Sequence, residues 1–362
     1  MESKKRVTYI LHDIAVGGVE VAFISALPAL HKKYHLQVIV LGTVNDSMVA
    51  HLSAEEKQVF TAFDYPLFLY PVILPKILRK VSEHRPDLLI CSLWRASMVG
   101  TLVKLGNSRV KFYSFNHSTR FPHFFSSFFT RMAAKTADVI LTDGIATSNF
   151  VQEKLRPKAP VKIVSFLTQK APEKITSNIP KPDESVRFMF LGRINKVKNL
   201  PLMVSVIETL RGMSIPATLD IYGRNDGDGQ EAIERISQAN LQEHIRFMGE
   251  VPSSQRSDLF HRYHFYLQLS SFEGMAMSVA EAMQHGLVCV VSPVGEIVHY
   301  ARDMESAIFI NIFDEAVWKN DIGKISEVIA NPNTYLRIST KCHKNFLSRE
   351  EYKDSLIEQL EA

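Results

Sequence analysis

Glycine is scarce in this chain, 16 residues in 362 where roughly 7% is usual. That scarcity excludes a collagen-like fibre or a glycine-rich flexible array, and it means that each glycine kept needs a backbone reason. Cysteine is scarcer still. The three thiols, Cys91, Cys289 and Cys342, are odd in number and show no C-x-x-C spacing, so a small disulfide scaffold is excluded. Cys91 and Cys289 stand in apolar runs (L-L-I-C-S and L-V-C-V-V) that read as inert core thiols in a reducing compartment. Long hydrophobic runs are missing: the longest, Tyr65 to Leu78, is interrupted by Pro66, Pro71 and Pro75 and is too short to span a bilayer. The N-terminus has no apolar stretch of signal-peptide length before His12 and Asp13. These features predict a cytoplasmic protein, at most peripheral on the inner face of the cell membrane.

Neither charge sign dominates, at +4 overall, but the halves differ. Residues 1–168 hold 21 basic and 12 acidic side chains, residues 169–362 hold 21 and 26, and 101–168 alone hold 10 and 3. A basic first half points to an anionic partner, whether a membrane surface or a phosphate-bearing acceptor; no nucleic-acid motif accompanies it.

At 46% hydrophobic and 22% charged the chain has material for about two globular cores. Short apolar runs alternate with amphipathic stretches throughout. Strands are expected at 6–11, 36–41, 87–91, 110–115, 138–142 and 161–166, then at 187–191, 217–222, 245–248, 264–269, 287–291 and 307–310. Helix-like segments include 18–30, 66–83, 198–212, 229–239, 275–285 and 314–330. Strands that are apolar throughout and separated by helices belong to parallel sheets covered on both faces. The fold class is therefore α/β, with two doubly wound, Rossmann-like domains facing a central cleft. The expected boundaries are 1–168, a Pro/Lys/Ser-rich linker at 169–185, a second domain at 186–345, and a final helix at 346–362. Ligands of doubly wound sheets bind beyond the carboxyl ends of the strands, so site residues should follow strands directly.

Four motifs pass that filter. The first is S-S-F-E-G-M-A-M-S-V-A-E-A-M-Q-H-G at 270–286. Glu273 and Gly274 make the turn, and a helix follows from about Met275. The backbone amides of Gly274, Met275, Ala276 and Met277 are placed to hold a diphosphate. Glu281, eight residues after Glu273, is about 10 Å further along. Its apolar neighbours Val279, Ala280, Ala282 and Met283 mean that its carboxylate needs a partner. The second motif, F-L-G-R-I-N-K-V-K-N-L at 190–200, sets Arg193 and Lys198 after a strand, with Lys196 as an alternative to Lys198. Two fixed cations suit a diphosphate leaving group. The third, H-D-I-A-V-G-G-V-E at 12–20, brings Gly17 and Gly18 ahead of a helix, where backbone can approach phosphate. The fourth, S-F-N-H-S-T-R at 114–120, offers His117 to a sugar hydroxyl, unless Asn116 or Ser118 satisfies its ring.

Two metal-like patterns carry less. Asp226 and Asp228 in N-D-G-D-G read as a solvated turn, and His261 with His264 lack further ligands; no metal and no other cofactor is expected. In Arg120–Lys135, Phe121, Phe125, Phe128 and Met132 share a helical face, broadened by Phe124 and Phe129. Such a stripe ordinarily packs into a core; the alternative is an interfacial helix docking on anionic lipid.

With G-G-V-E near the start, G-R…K-N opening the second half and E-x7-E in E-G-M-A-M-S-V-A-E, the chain resembles the family-four retaining glycosyltransferases of GT-B architecture, over nearly its whole length. The resemblance implies a nucleoside-diphosphate-sugar donor and a glycan or lipid-linked hydroxyl acceptor, with no divalent metal. It implies that Arg193 and Lys198 grip the diphosphate, with the leaving phosphate as base. Glu281 would hold the ribose, Glu273 the sugar, Gly18 would lie near the phosphates and His117 near the donor's hydroxymethyl. Members often read E-G-F-G-L-P where this chain has E-G-M-A-M-S, and G-G-x-P-E where it keeps only Gly295 and Glu296; both departures bear on donor identity. A nucleotide-sugar epimerase of the same fold and a non-catalytic sugar-nucleotide-binding subunit are the rival functions.

Overall fold

Thirteen strands form two separate, wholly parallel sheets in a computed structural model that describes residues 4–15, 17–252 and 255–362. The first sheet has the order β3-β2-β1-β4-β5-β6-β7. Its strands are β1 (Arg6–Leu11), β2 (His35–Val40), β3 (Phe60–Ala62), β4 (Leu88–Ser92), β5 (Lys111–Asn116), β6 (Val139–Thr142) and β7 (Val161–Ile163). The second, ordered β10-β9-β8-β11-β12-β13, contains β8 (Val186–Leu191), β9 (Ala217–Tyr222), β10 (Ile245–Gly249), β11 (Phe265–Gln268), β12 (Val288–Val291) and β13 (Ile308–Phe309). The continuous apolar runs are the reason for the parallel pairing: β4, β6, β11 and β12 are buried along their whole length, as strands covered by helices on both faces must be. Only β3 has no counterpart in the sequence reading. It is three residues long, at a sheet edge and without a fully buried residue, so it carries no burial pattern to read.

The chain divides into two compact units, Met1–Gln169 with Glu350–Ala362, and Lys170–Arg349. The segment 169–185 is laid on the second unit, where Ser177 Oγ meets Ser339 Oγ at 2.7 Å and Ile175 packs at Gly286. The Pro332–Leu347 helix runs to the end of that unit, and the chain then returns to the first. There the Tyr352–Glu361 helix lies against Gly18–Lys33, and Tyr352 N–H donates to Leu167 O at 2.7 Å. Tyr352 is buried with its ring 5.2 Å from Phe166 and 6.3 Å from Phe115.

Each unit has its own core. In the second, Phe188, Leu219, Phe265 and Val290 of the sheet pack with Met203, Ile207 and Ile322 from the helices. In the first, Ile10, Leu89, Phe112 and Ile140 pack with Ile73, Ile77 and Val99. Each such side chain contributes about 1.5–3 kcal/mol on full burial. Cys91, Cys289 and Cys342 are free and buried, and burial pushes the Cys91 and Cys289 thiols well up.

The aromatic stripe departs from the core reading. The Phe124–Thr136 helix buries Ser126, Thr130, Ala133 and Ala134, its small side chains, and packs against the Trp94–Gly106 helix. Small faces allow the two backbones to approach closely, which turns the phenylalanines outward. Phe124 is 76% exposed, and Phe125 and Phe128 are exposed with it. Among the described residues, no helix is long and apolar enough to cross a membrane.

Candidate functional site

Strand order places the motifs. In the second sheet, β8 and β11 are neighbours, and the order runs outward from them in opposite directions. The crevice beyond such a switch point is where doubly wound sheets bind ligands. The 190–200 motif follows β8 and the 270–286 motif follows β11, so two sequences about 75 residues apart meet because their strands do. Ser271 N–H donates to Val197 O at 2.9 Å. Lys198 Nζ lies 2.6 Å from Glu273 Oε1, with side-chain exposures of 16% and 9%.

Glu273 is held from a second side by Gln268 Nε2 at 2.8 Å. Gln268 Oε1 in turn accepts from Tyr266 OH at 2.9 Å and Ser278 Oγ at 3.2 Å. This buried polar network runs from the strand into the helix that follows. The E-G-M-A-M-S departure points to Ser278 as a residue that reshapes the sugar pocket, but Gln268 and Tyr266 are not singled out in the sequence; the available signal is a glutamine inside an otherwise apolar strand, F-Y-L-Q-L. Gly295 completes the loop. It has φ +58°, and a Cβ there would stand 2.2 Å from Glu273 O, while Glu296 N–H donates to Gly274 O at 2.9 Å.

The Met277–Gln284 helix begins at Ala276, which is left-handed (φ 53°, ψ 57°) and supplies no side-chain cap. Tyr300 OH donates towards Met275 O and Ala276 O at 3.3 and 3.4 Å, which pins this turn from outside. The first amides of the helix thus have no side-chain cap, and such orphan N–H groups favour an anion. Glu281 lies in the same helix with apolar neighbours, as expected, and its partner is Arg256, whose Nη1 is 3.3 and 3.2 Å from the two carboxylate oxygens. Burial raises the Glu281 carboxyl above its ordinary range, with Arg256 opposing. Arg256 carried no signal in the sequence.

Residues 172–344 match the sequence family described as glycosyl transferases group 1. The matched segment lies within the second unit. No curated protein matches the chain. Among solved structures, it is similar to HepE of Anabaena in complex with UDP and glucose, at 15% identity and TM-score 0.79 over 99% of this chain and 100% of that one. The lipopolysaccharide outer core galactosyltransferase WaaB matches at 13% identity and TM-score 0.73, covering 98% of both chains. Sucrose-phosphate synthase of Thermosynechococcus elongatus matches at 13% and 0.74, over 99% and 98%. These likenesses show the GT-B fold.

In the second unit Arg193 is 53% exposed, with Nη1 3.8 Å from Asp226 Oδ2. Asp226 also pairs with Arg224 at 2.8 Å, and Asp228 accepts from Lys196 N–H at 2.9 Å. The D-x-D string thus braces the loop that carries Arg193 and Lys198. Burial, and after it the neighbouring Arg187, lowers His264 to about 4.

The first unit has its switch point between β1 and β4. Gly17 and Gly18 open the Gly18–Lys33 helix after β1, with no side-chain cap. His12 Nε2 accepts from Arg95 N–H at 2.9 Å across this point, and burial followed by Arg95 lowers it to about 3. His117 follows β5, its ring 4.2 Å from Phe115, its side chain 3% exposed. Neither Asn116 nor Ser118 holds it: Nε2 meets Ser92 Oγ at 3.1 Å, and Nδ1 has no hydrogen bond and faces Asp143 Oδ2 at 3.6 Å. Ser92 Oγ also meets Tyr9 OH at 2.8 Å, and Tyr9 OH meets Tyr352 OH at 3.2 Å. A cavity of about 480 Å³ lined by Arg6, His35, Glu83, His84 and Arg85 lies at the opposite edge, where β1 and β2 begin; none of the motif residues reaches it.

Proposed function

We propose that this chain is a retaining glycosyltransferase. It moves a sugar from a nucleoside-diphosphate-sugar to a hydroxyl of a glycan or lipid-linked acceptor, in bacterial surface polysaccharide synthesis and without a divalent metal. The observation that carries the reading is the Lys198–Glu273 pair beside an uncapped helix end at the switch point of the second unit. A diphosphate meets there both the amides and a cation able to neutralise the charge that grows as the glycosidic bond breaks. Arg193, exposed and only loosely paired, is free to close on the same charge.

In this reading the bond from the anomeric carbon to the diphosphate oxygen breaks, and the acceptor oxygen bonds to the same face of that carbon. The acceptor's proton passes to the leaving phosphate. Glu273 meets the sugar, Glu281 the ribose, and Gly274, Met275, Ala276 and Met277 line the diphosphate. From the first unit the reading takes Gly17 and Gly18 for phosphate, and His117 for the donor's hydroxymethyl. The lipid clause rests on Phe124, Phe125 and Phe128 standing exposed near Arg120, Arg131 and Lys135, which gives an apolar and cationic face for an anionic bilayer, at the cytosolic side.

Donor hydrolysis across a panel of nucleotide-sugars tests the reading. One donor should be cleaved with retention at the anomeric carbon, and Arg193→Ala or Lys198→Ala should abolish cleavage. Full activity in either variant overturns the site. Release of a rearranged sugar without any acceptor would instead show an epimerase, and donor binding without turnover a non-catalytic subunit.

A further inference from the structure

The cavity of about 480 Å³ in the first unit has the size of a small-molecule site and takes no part in the donor reading. Three elements bring its lining together. Arg6 and His35 open β1 and β2 and are paired across them. Glu83 and His84 end the Tyr70–His84 helix, and Arg85 follows as its left-handed cap, at φ 50°. Cations at the end of a helix offset the negative end of its dipole. That accounts for His84 and Arg85 but not for Arg6, which begins a strand.

The charges in this cavity are unbalanced. Glu83 is already paired with Arg79 at 2.9 Å, and Asp87 Oδ2 accepts from the backbone N–H of Arg6 at 2.8 Å. Among the described residues, the side chains of Arg6, His35 and Arg85 make no hydrogen bond and no ion pair. Arginine does not shed its charge, so two fixed cations face the cavity without a partner.

His84 is set to respond to an anion there. Thr8 Oγ1, buried in β1, lies 3.2 Å from Gln37 Oε1 and 2.8 Å from His84 Nδ1. The hydroxyl donates to the amide oxygen, so Nδ1–H donates to the hydroxyl, and Nε2 is the nitrogen left to take up a proton. Burial first, then Arg6 and His35, holds the imidazole below its ordinary value, with Lys80 adding to this and Asp87 opposing. An anion in the cavity reverses the sign of that field. It favours protonation at Nε2, which turns an acceptor into a further donor.

We infer that this cavity binds a phosphorylated small molecule by its phosphoryl groups, with Arg6 and Arg85 as fixed cations and His84 as a donor that gains its proton on binding. The planar fork of arginine suits phosphate oxygens, and a lone phosphate ion is too small to fill the space, so a diphosphate or a phosphate ester is the class that fits. A lipid headgroup offers the same chemistry, but the cavity lies where β1 and β2 begin, whereas the exposed Phe124, Phe125 and Phe128 follow the carboxyl end of β5. A bilayer on that apolar face does not reach the cavity, which favours a free ligand. Nothing in this site depends on the donor reading.

Histidine-ring NMR on the full chain at pH 7 tests it, with pyrophosphate as the probe, chloride controls at matched ionic strength, and His84→Gln to assign the resonance. Because pyrophosphate has the chemistry of the donor's diphosphate as well, the His84 ring serves as the local reporter. It should move towards its imidazolium position and saturate, since an opposite charge within about 4–6 Å raises a histidine by about 1–3 units. Arg6→Gln and Arg85→Gln, both at exposed positions, should each weaken the apparent affinity by about tenfold or more, and the double variant should leave the ring unmoved. No movement in wild type at about 10 mM pyrophosphate, tenfold above a millimolar Kd, overturns the site, as does movement that persists in the double variant. Movement with phosphatidylglycerol vesicles but not with pyrophosphate overturns the free ligand in favour of a headgroup.

Discussion

Removing Lys198 should damage the second unit in a way that removing Glu273 as well repairs. At 2.6 Å and with little solvent around them, the two charges attract by roughly 6 kcal/mol at an effective dielectric of 20. Desolvation of two ions consumes several kcal/mol of this, so the intact pair is close to neutral for stability. Breaking it from one side is not neutral, and typically costs about 3–5 kcal/mol. Lys198→Met leaves the Glu273 carboxylate with Gln268 alone, so the full penalty applies; for a unit of this size it lowers the melting temperature by roughly 6–20 °C. Glu273→Gln should cost less, about 1–3 kcal/mol, because the longer lysine can turn to water. The double variant, Met against Gln, should return to within about 2 kcal/mol of wild type. Urea unfolding followed by tryptophan fluorescence reads this directly, since the two tryptophans are divided: Trp318 lies in the second unit and Trp94 in the first. In a Trp94→Phe background Trp318 reports the domain of interest alone. A coupling energy below about 0.5 kcal/mol, the limit of simple additivity, would refute the argument.

Four further outcomes follow from the geometry. The Glu281 carboxyl is raised by burial, so its contribution favours the folded state below its unfolded pKa and is lost as pH rises through the folded one; the urea midpoint of Glu281→Gln relative to wild type should therefore climb between pH 4.5 and 7.5. His12, lowered to about 3, runs the other way: its contribution is present above pH 6.5 and fades on acidification, by up to about 1.4 kcal/mol per pH unit, and His12→Gln, which keeps an acceptor for Arg95 N–H, should flatten that slope in Trp94 fluorescence. Gly295→Ala sets a Cβ 2.2 Å from Glu273 O at φ +58°, and should cost at least about 2 kcal/mol; a wild-type urea midpoint would contradict it. Replacing Phe124, Phe125 and Phe128 by serine should leave the melting temperature within a degree or two yet abolish sedimentation with phosphatidylglycerol vesicles.

Twelve of the thirteen strands were legible as short apolar runs between turn residues, and burial on both faces leaves that mark most plainly in β4, β6, β11 and β12. That Lys198 and Glu273 meet was legible for a related reason: residues that follow strands β8 and β11 are few, and charged ones stand out there. What stayed hidden was set by three-dimensional neighbours. Nothing about Arg256 or Ser92 in the chain says that each lies against a motif residue from another element. The Phe124–Thr136 helix shows the limit most clearly. A period of 3.6 marks an amphipathic face, but which face turns inward depends on the neighbour, and Ala133 and Ala134 fit the adjacent Trp94–Gly106 helix closely where phenylalanines would hold it off.

The returning helix has a consequence for the order in which the protein is made. Tyr352 fills the space between Phe115, Phe166 and Tyr9, so the first unit, begun at the N-terminus, lacks a piece of its interior until Lys170–Arg349 has been translated. At about 5–20 residues per second that interval is roughly 10–40 s, long enough for the second unit to fold while the first still waits. Ribosome-released fragments that stop before residue 350 should therefore carry a folded second unit beside a first unit that remains sensitive to protease.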